Sequence, residues 1–323
     1  MNLINKILIV IIAIVAFYAI FLIYSDLNLV KDRLGEFKIE FLPQIIGLVV
    51  LGWFIIFYRW ILLLKHSDIV VPTRENFFIF MAGFALSIIP GKIGELIKSQ
   101  LLKTKFDISR TKTAPIIVLE QLYNLIGIVV ISCIGLGLMI IFNIEFFEIS
   151  NYVIIGAVFV LIFLLVILNS KKTYETFFHK ISKFKFISKY ELSFEESYET
   201  IKKSLRGKLL VVSTILSSLF WLVEATVVYL ILLAFDVDIL QFSTIVATYT
   251  SSILLGVASF LPMGIGVTEG SLAGFFTLQG IDVSLALTIV IFIRIFTRWI
   301  GVSLGFIFLK VVGGFSLKIE NSK

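Results

Sequence analysis

The chain has 323 residues, 59% hydrophobic and only 15% charged, with a formal net charge of +6 and a mean hydropathy of +1.05. Soluble domains are nearer half apolar and a quarter charged, so this composition excludes one and points to an all-α, polytopic membrane helical bundle. It also argues against nucleic-acid binding, because the basic excess sits in loops, while a lone Cys133 and the distant pair His66 and His179 leave no disulfide framework, no metal site and no cofactor motif.

A spanning helix needs about 20 mostly apolar residues. The first candidate, Ile7–Tyr24, follows Lys6 and lacks a small-x-small cleavage site, so it is expected to be a retained helix. Phe41–Leu64 is the second. The next apolar run, Phe77–Ile89, has 13 residues. As a helix that is about 20 Å, too short for a hydrocarbon core of roughly 30 Å. It ends in Pro90-Gly91-Lys92-Ile93-Gly94-Glu95, and the chain then runs on to Leu102. Arg74 on one flank and Lys103–Lys112 on the other predict a hairpin that enters and leaves from the cytoplasmic side. Ala114–Ile134, extending as far as Phe142, and Tyr152–Leu168 are further spans. Lys171–Lys208 then carries ten Lys/Arg, with Phe177, Phe178, Ile181, Phe184 and Phe186 between the lysines. That pattern predicts amphipathic helix near the headgroups, or a solvated orienting loop.

Leu209–Leu233 is another span. Phe242–Leu261 is long enough to cross but carries Ser243, Thr244, Thr248, Thr250, Ser251, Ser252 and Ser259. It ends in Pro262-Met263-Gly264-Ile265-Gly266-Val267-Thr268-Glu269, after which Ser271–Leu278 has eight residues and cannot span. Its flanks, Asp236–Asp238 and Gln279–Asp282, are not basic, which predicts a hairpin from the outside. Ser284–Val311 returns the chain to a basic tail with Lys310, Lys318 and Lys323. Both termini are therefore expected in the cytoplasm, in a multi-pass protein of the cell membrane. Two re-entrant hairpins from opposite sides also fit an inverted repeat. The single membrane domain, 1–323, would divide into halves 1–168 and 209–323 joined by the basic loop 169–208.

Broken backbone at membrane depth survives only inside protein or beside a wet cavity, and ionisable groups there mark functional sites by default. Arg59, Lys92, Glu95, Lys98, Glu120, Asn124, Glu224, Glu269, Arg294 and Arg298 all sit inside or next to apolar sequence. Arg59 and Arg298 each precede a Trp, so either could instead snorkel to an interface, and Glu224 could simply bond between helices. Lys92, Glu95 and Lys98 follow a Pro-Gly break. Free N–H groups at a half-helix start and two lysines suit an anion such as phosphate. Asp236-Val237-Asp238 matches a D-x-D pattern too short to carry weight, and no Walker A, G-x-S-x-G, H-E-x-x-H or G-x-G-x-x-G is present.

Pro90-Gly91-Lys92-x-Gly94-Glu95, then Glu120, then Pro262-x-Gly264-x-Gly266-x-x-Glu269 and a late Arg294 resemble the lysylphosphatidylglycerol synthase transmembrane-region family over about residues 7–312. The resemblance implies a polytopic helical protein that moves or modifies lipids, with re-entrant segments near its centre. Lys92 stands where relatives often have Arg, and Gln121 follows Glu120 where Arg is common. The membrane region takes up the whole chain, so the soluble aminoacyl-transferase domain of the two-part enzymes, and with it lysyl transfer, is not expected. The reading is a flippase for a lipid or a lipid-linked saccharide. Its partners are membrane lipids with an anionic or polyprenyl-phosphate headgroup. Lys92, Lys98, Arg294 and Arg298 would bind the headgroup, balanced by Glu95, Glu120 and Glu269. The rival is an accessory subunit or membrane enzyme of lipid glycosylation or aminoacylation, working with a glycosyltransferase.

Overall fold

The computed structural model describes residues 35–89, 94–142, 148–182 and 194–314. The span expected at Ile7–Tyr24, the residues Pro90, Gly91 and Lys92, and the tail lysines Lys318 and Lys323 lie outside them. The described chain is helical, with no strand among the described residues. In order it forms α1 Leu42–His66, α2 Thr73–Ala85, α3 Ile97–Phe106, α4 Arg110–Ile141, α5 Glu148–Asn169, α6 Lys171–Ser182, α7 Phe194–Ser204, α8 Gly207–Ala234, α9 Phe242–Ala258, α10 Val267–Leu278, α11 Val283–Arg294 and α12 Ile300–Val311. Five helical stretches, Ile39–His66, Arg110–Ile141, Asn151–Leu168, Gly207–Ala234 and Val283–Val311, are long and apolar enough to cross a membrane.

Local chemistry sets several boundaries. Pro43 opens α1, where its missing N–H costs nothing. Ser109 caps α4 by accepting from the Thr111 N–H at 3.2 Å, and Asp282 caps α11 by accepting from Leu285 at 3.1 Å. α2, with 13 residues, starts four residues earlier than the apolar run, with the polar Thr73, Arg74 and Glu75 in its first turn, and ends at Ala85. The basic loop holds two helices, α6 and α7. Between α9 and α10, Phe260, Met263, Gly264 and Gly266 all have positive φ, so the helical path cannot continue. On the earlier side, a Cβ placed on Gly94 would lie 1.9 Å from the Leu86 carbonyl oxygen. Residue 94 therefore packs directly on the backbone of residue 86, and only a glycine fits there.

α1 and α8 are long partners lying antiparallel. Lys38, just before α1, donates its N–H to the Ala234 carbonyl and pairs with Asp236, while at the other end of α1 the Lys203 ammonium reaches the His66 carbonyl at 3.5 Å. The other helices pack reciprocally. α2 packs on α12 as α9 packs on α4, α3 joins α2 to α4, and α10 joins α9 to α11. Small residues allow these crossings. A Cβ on Gly305 of α12 would sit 2.4 Å from the Ala85 nitrogen of α2, and one on Gly127 of α4 would sit 2.5 Å from the Ser217 Cβ of α8. The two backbone breaks converge as well: Ile88 and Ile265 share one buried apolar cluster with Val302, against which Met263, Trp299 and Phe306 pack.

Candidate functional site

Buried polar side chains flank both breaks. After the first, Glu95 lies in the short turn just before α3 and Lys98 three residues on, in the first turn of α3. The Lys98 ammonium contacts Glu120 Oε2 on α4 at 2.5 Å and Glu95 Oε2 at 3.3 Å. Its aliphatic stem runs over Gly83, where a Cβ would approach Lys98 Cδ to 2.9 Å, and its charge sits 4.7 Å from the Trp60 ring centroid. Lys98 side-chain exposure is 2%, so the two carboxylates and the ring replace water entirely. The Gln121 amide also donates to Glu95 Oε2, at 3.0 Å. One turn beyond Glu120, Asn124 Oδ1 accepts from Arg59 of α1 at 2.9 Å, and Arg59 also donates to Ser217 Oγ on α8 at 2.5 Å.

The second break carries a matching arrangement. Glu269, in the first turn of α10, takes the Gly266 N–H on Oε2 at 2.8 Å, closing the helix start. Its Oε1 accepts from Arg294 Nε of α11 at 2.8 Å, and Arg294 reaches back to the Met263 carbonyl inside the break, also at 2.8 Å. Arg298 makes a two-pronged pair with Glu224 of α8, at 3.0 and 2.9 Å, which Tyr249 of α9 completes by donating to Glu224 at 2.7 Å. Arg298 belongs to a π-helical turn, Ile295–Trp299, between α11 and α12. Such turns concentrate at functional sites.

The two arrangements correspond residue by residue. From Glu95 to Glu120 and from Glu269 to Arg294 the interval is 25 residues in each case, and Asn124 and Arg298 both follow four residues later. Arg59 and Glu224, which meet Asn124 and Arg298, are each the eighteenth residue of α1 and α8. Charges differ: Glu120 stands where the second arrangement has Arg294, Asn124 where it has Arg298 and Arg59 where it has Glu224, while Lys98 is a cation whose counterpart at the same spacing is Leu272. Trp221 joins the two, donating its indole N–H to the Asn124 carbonyl at 2.9 Å while its ring lies 5.8 Å from the Arg298 guanidinium carbon.

The membrane region described as the lysylphosphatidylglycerol synthase TM region matches residues 7–305. The chain belongs to that family. A UPF0104 membrane protein of Methanothermobacter thermautotrophicus is 33% identical over 135 residues, 38% of this chain and 40% of that protein. A UPF0104 membrane protein of Methanocaldococcus jannaschii is 25% identical over 237 residues, covering 71% of this chain and 94% of the relative. In the first of these the match spans well under half of the relative's own length.

In this lysylphosphatidylglycerol synthase TM-region protein, Glu95, Lys98, Glu120 and Asn124 come together around the first break, and Gly264, Gly266, Glu269, Arg294 and Arg298 around the second. Gly94 and Pro262 shape the breaks rather than presenting polar atoms. Arg59 does not snorkel: it is 1% exposed and bonded to two other helices. Glu224 does bond between helices, with Arg298 as its partner. Sequence reasoning passed over Tyr249, Ser217 and Trp221, and noted Gln121 only as a departure from the family pattern. Tyr249 had a visible signal, since it sits within the Ser/Thr run of α9. Ser217 had none, being one of several serines on α8 with no pattern to single it out.

Proposed function

We propose that the protein is a lipid flippase, moving an anionic lipid or lipid-linked saccharide across the cell membrane at a site between the two breaks. One observation carries the reading: residues beside the two backbone breaks share a single apolar cluster, and each break is followed by a glutamate and by polar or ionisable residues 25 and 29 positions further on. Soluble-protein logic gives no reason to retain eight such residues in a hydrocarbon environment, where each isolated charge costs about 2.5–3.5 kcal/mol. Transporters build midplane sites in this manner from broken helices of inverted repeats.

On this reading the short helices α2 and α3, and α9 and α10, are re-entrant hairpins from opposite sides, and residues 1–168 and 209–323 are the repeated halves. The basic ends face the cytoplasm, as do both termini. The matched family's name, which refers to a lysylated phosphatidylglycerol, supports a lipid cargo class. Pairing of Lys98, Arg294 and Arg298 with carboxylates means that a headgroup competes with internal partners, so binding and release couple to rearrangement of those pairs.

The test uses the purified full chain in liposomes containing acyl-NBD-labelled phosphatidylglycerol. Dithionite bleaches the outer leaflet only, so a flippase allows loss of the protected half of the signal. A plateau at the protein-free level would overturn the reading. Cysteine labelling in a Cys133→Ser background checks the topology: position 185 is expected to label from the cytoplasmic side, and positions 240 and 280 from the outside.

A further inference from the structure

Three buried cations, Arg59, Lys98 and Arg294, and the partly buried Arg298 stand among the polar residues, and three of these four touch a carboxylate. Lys98 has Glu95 and Glu120, Arg294 has Glu269, and Arg298 has Glu224. Arg59 differs. Its hydrogen-bond partners are the neutral Asn124 and Ser217, and its Nε–H is buried with no partner among the described residues. Glu95 and Glu120 lie within Coulombic range of it and, with Lys98 between them, carry one net negative charge, but both carboxylates bond Lys98 and neither bonds Arg59. Buried charges are ordinarily paired, and unpaired buried donors are rare. The corresponding place in the second arrangement shows what is missing, because there the guanidinium of Arg298 faces a carboxylate across the same helix pairing.

We infer that Arg59 is the receptor for the phosphate of the transported headgroup, a phosphate mono- or diester anion. This rests on the flippase reading and names the residue that holds the cargo. An anion arriving at Lys98, Arg294 or Arg298 must first displace a bonded carboxylate. At Arg59 it displaces only neutral acceptors and satisfies a free N–H, so Arg59 is the cation at which binding meets least internal competition. A guanidinium also suits phosphate better than an ammonium does, through its fork of donors. Arg59 lies seven residues from the basic end of α1 at His66, about 10 Å along the helix. Near that end α7 is tied to α4 by the Tyr123 hydroxyl, which donates to the Ser204 carbonyl at 2.6 Å. The Ser204 hydroxyl is itself buried without a partner among the described residues.

Tryptophan fluorescence reports the site, since Trp60 neighbours Arg59 and Trp221 bonds to Asn124. The purified full chain in detergent is titrated with dihexanoyl-phosphatidic acid and, separately, with inorganic phosphate. The wild type is expected to show a saturable change with the lipid, and absence of one overturns the inference. Asn124→Asp gives Arg59 the carboxylate that Arg298 already has, so lipid binding should weaken at least tenfold with no fall in melting temperature. Binding within threefold of wild type would overturn the assignment. Should Asn124→Asp not fold, Arg59→Gln replaces it, because removing a charge whose direct partners are neutral strands no bonded carboxylate; retained binding in that variant overturns the inference. Saturation by inorganic phosphate at the same concentration supports the phosphate site and assigns its source to the free anion. Liposome assays on the same proteins separate the two claims. Binding that Asn124→Asp abolishes, with no scrambling by wild type, leaves Arg59 standing and removes the flippase reading. Scrambling and binding that both survive the variants do the opposite.

Discussion

Lys98 shows how a charge is kept inside this bundle. Its ammonium is held by two carboxylates and an aromatic face, and the cost of desolvating it is repaid only while all three remain. Removing one partner of a buried pair leaves a stranded charge and costs roughly 3–5 kcal/mol. Glu120→Gln is therefore expected to lower stability by about that amount in chemical unfolding of the detergent-solubilised protein. The double change Lys98→Met with Glu120→Gln should recover part of it, because neither charge is then orphaned. A double variant no better than the worse single one would mean that the residues act separately. The exposed pair Lys103 and Asp107 gives the contrast. Their contact is 2.5 Å, yet both side chains are solvated, and such pairs add little. Lys103 holds the Asp107 carboxyl below its ordinary value through a hydrogen bond. Any stabilisation it brings is thus present at neutral pH and lost as pH falls through that lowered value. Asp107→Asn at pH 7 should leave unfolding unchanged within error.

Elements were largely legible where hydrophobic length decides, and less so where contact decides. The spans at Phe41–Leu64, Leu209–Leu233 and Ser284–Val311 appear as α1, α8 and the α11–π–α12 stretch, because 20 or more apolar residues leave a membrane segment few alternatives. The site residues could be picked out as ionisable groups in apolar sequence, but not their partners. Nothing local pairs Glu224 with Arg298, 74 positions on, or tells that Arg59 faces inward. The π turn was equally hidden, since Ile295–Trp299 reads as ordinary helix. Glycines divide in the same way. Gly305 and Gly137 look alike in sequence, but a Cβ on Gly305 would press within 2.4 Å of the α2 backbone while one on Gly137 would meet nothing within 4 Å. Gly305→Val should therefore cost at least the 1–3 kcal/mol typical of overpacking, by forcing α12 off α2. Gly137→Ala should be neutral or stabilise by about 0.5–1 kcal/mol, the helix penalty of glycine. Thermal unfolding of both variants checks the crossing, and equal effects would show that α12 does not seat on α2 as described.

At the scale of the whole molecule, the arrangement turns on the meeting of the breaks. Lipid cannot satisfy open backbone groups, and here the segments that carry them are drawn into one cluster at Ile88, Ile265 and Val302. The cluster is apolar, and the ionisable residues flank it from the two breaks. On the flippase reading this would be a barrier, which a headgroup passing from the first break to the second must part at Ile88 and Ile265. The reciprocal packing of α2 on α12 and α9 on α4 gives such a barrier a natural motion, since opening one side by shifting α2 has a counterpart in shifting α9. In a Cys133→Ser background, Ile88→Cys with Ile265→Cys is expected to cross-link readily with a short bismaleimide. Linked protein should then lose scrambling, while the unlinked double variant keeps it, because tying the two breaks together prevents the barrier from parting. Cross-linked protein that scrambles as well as the unlinked form would place the lipid path elsewhere, along the outer faces of the helices rather than between the breaks.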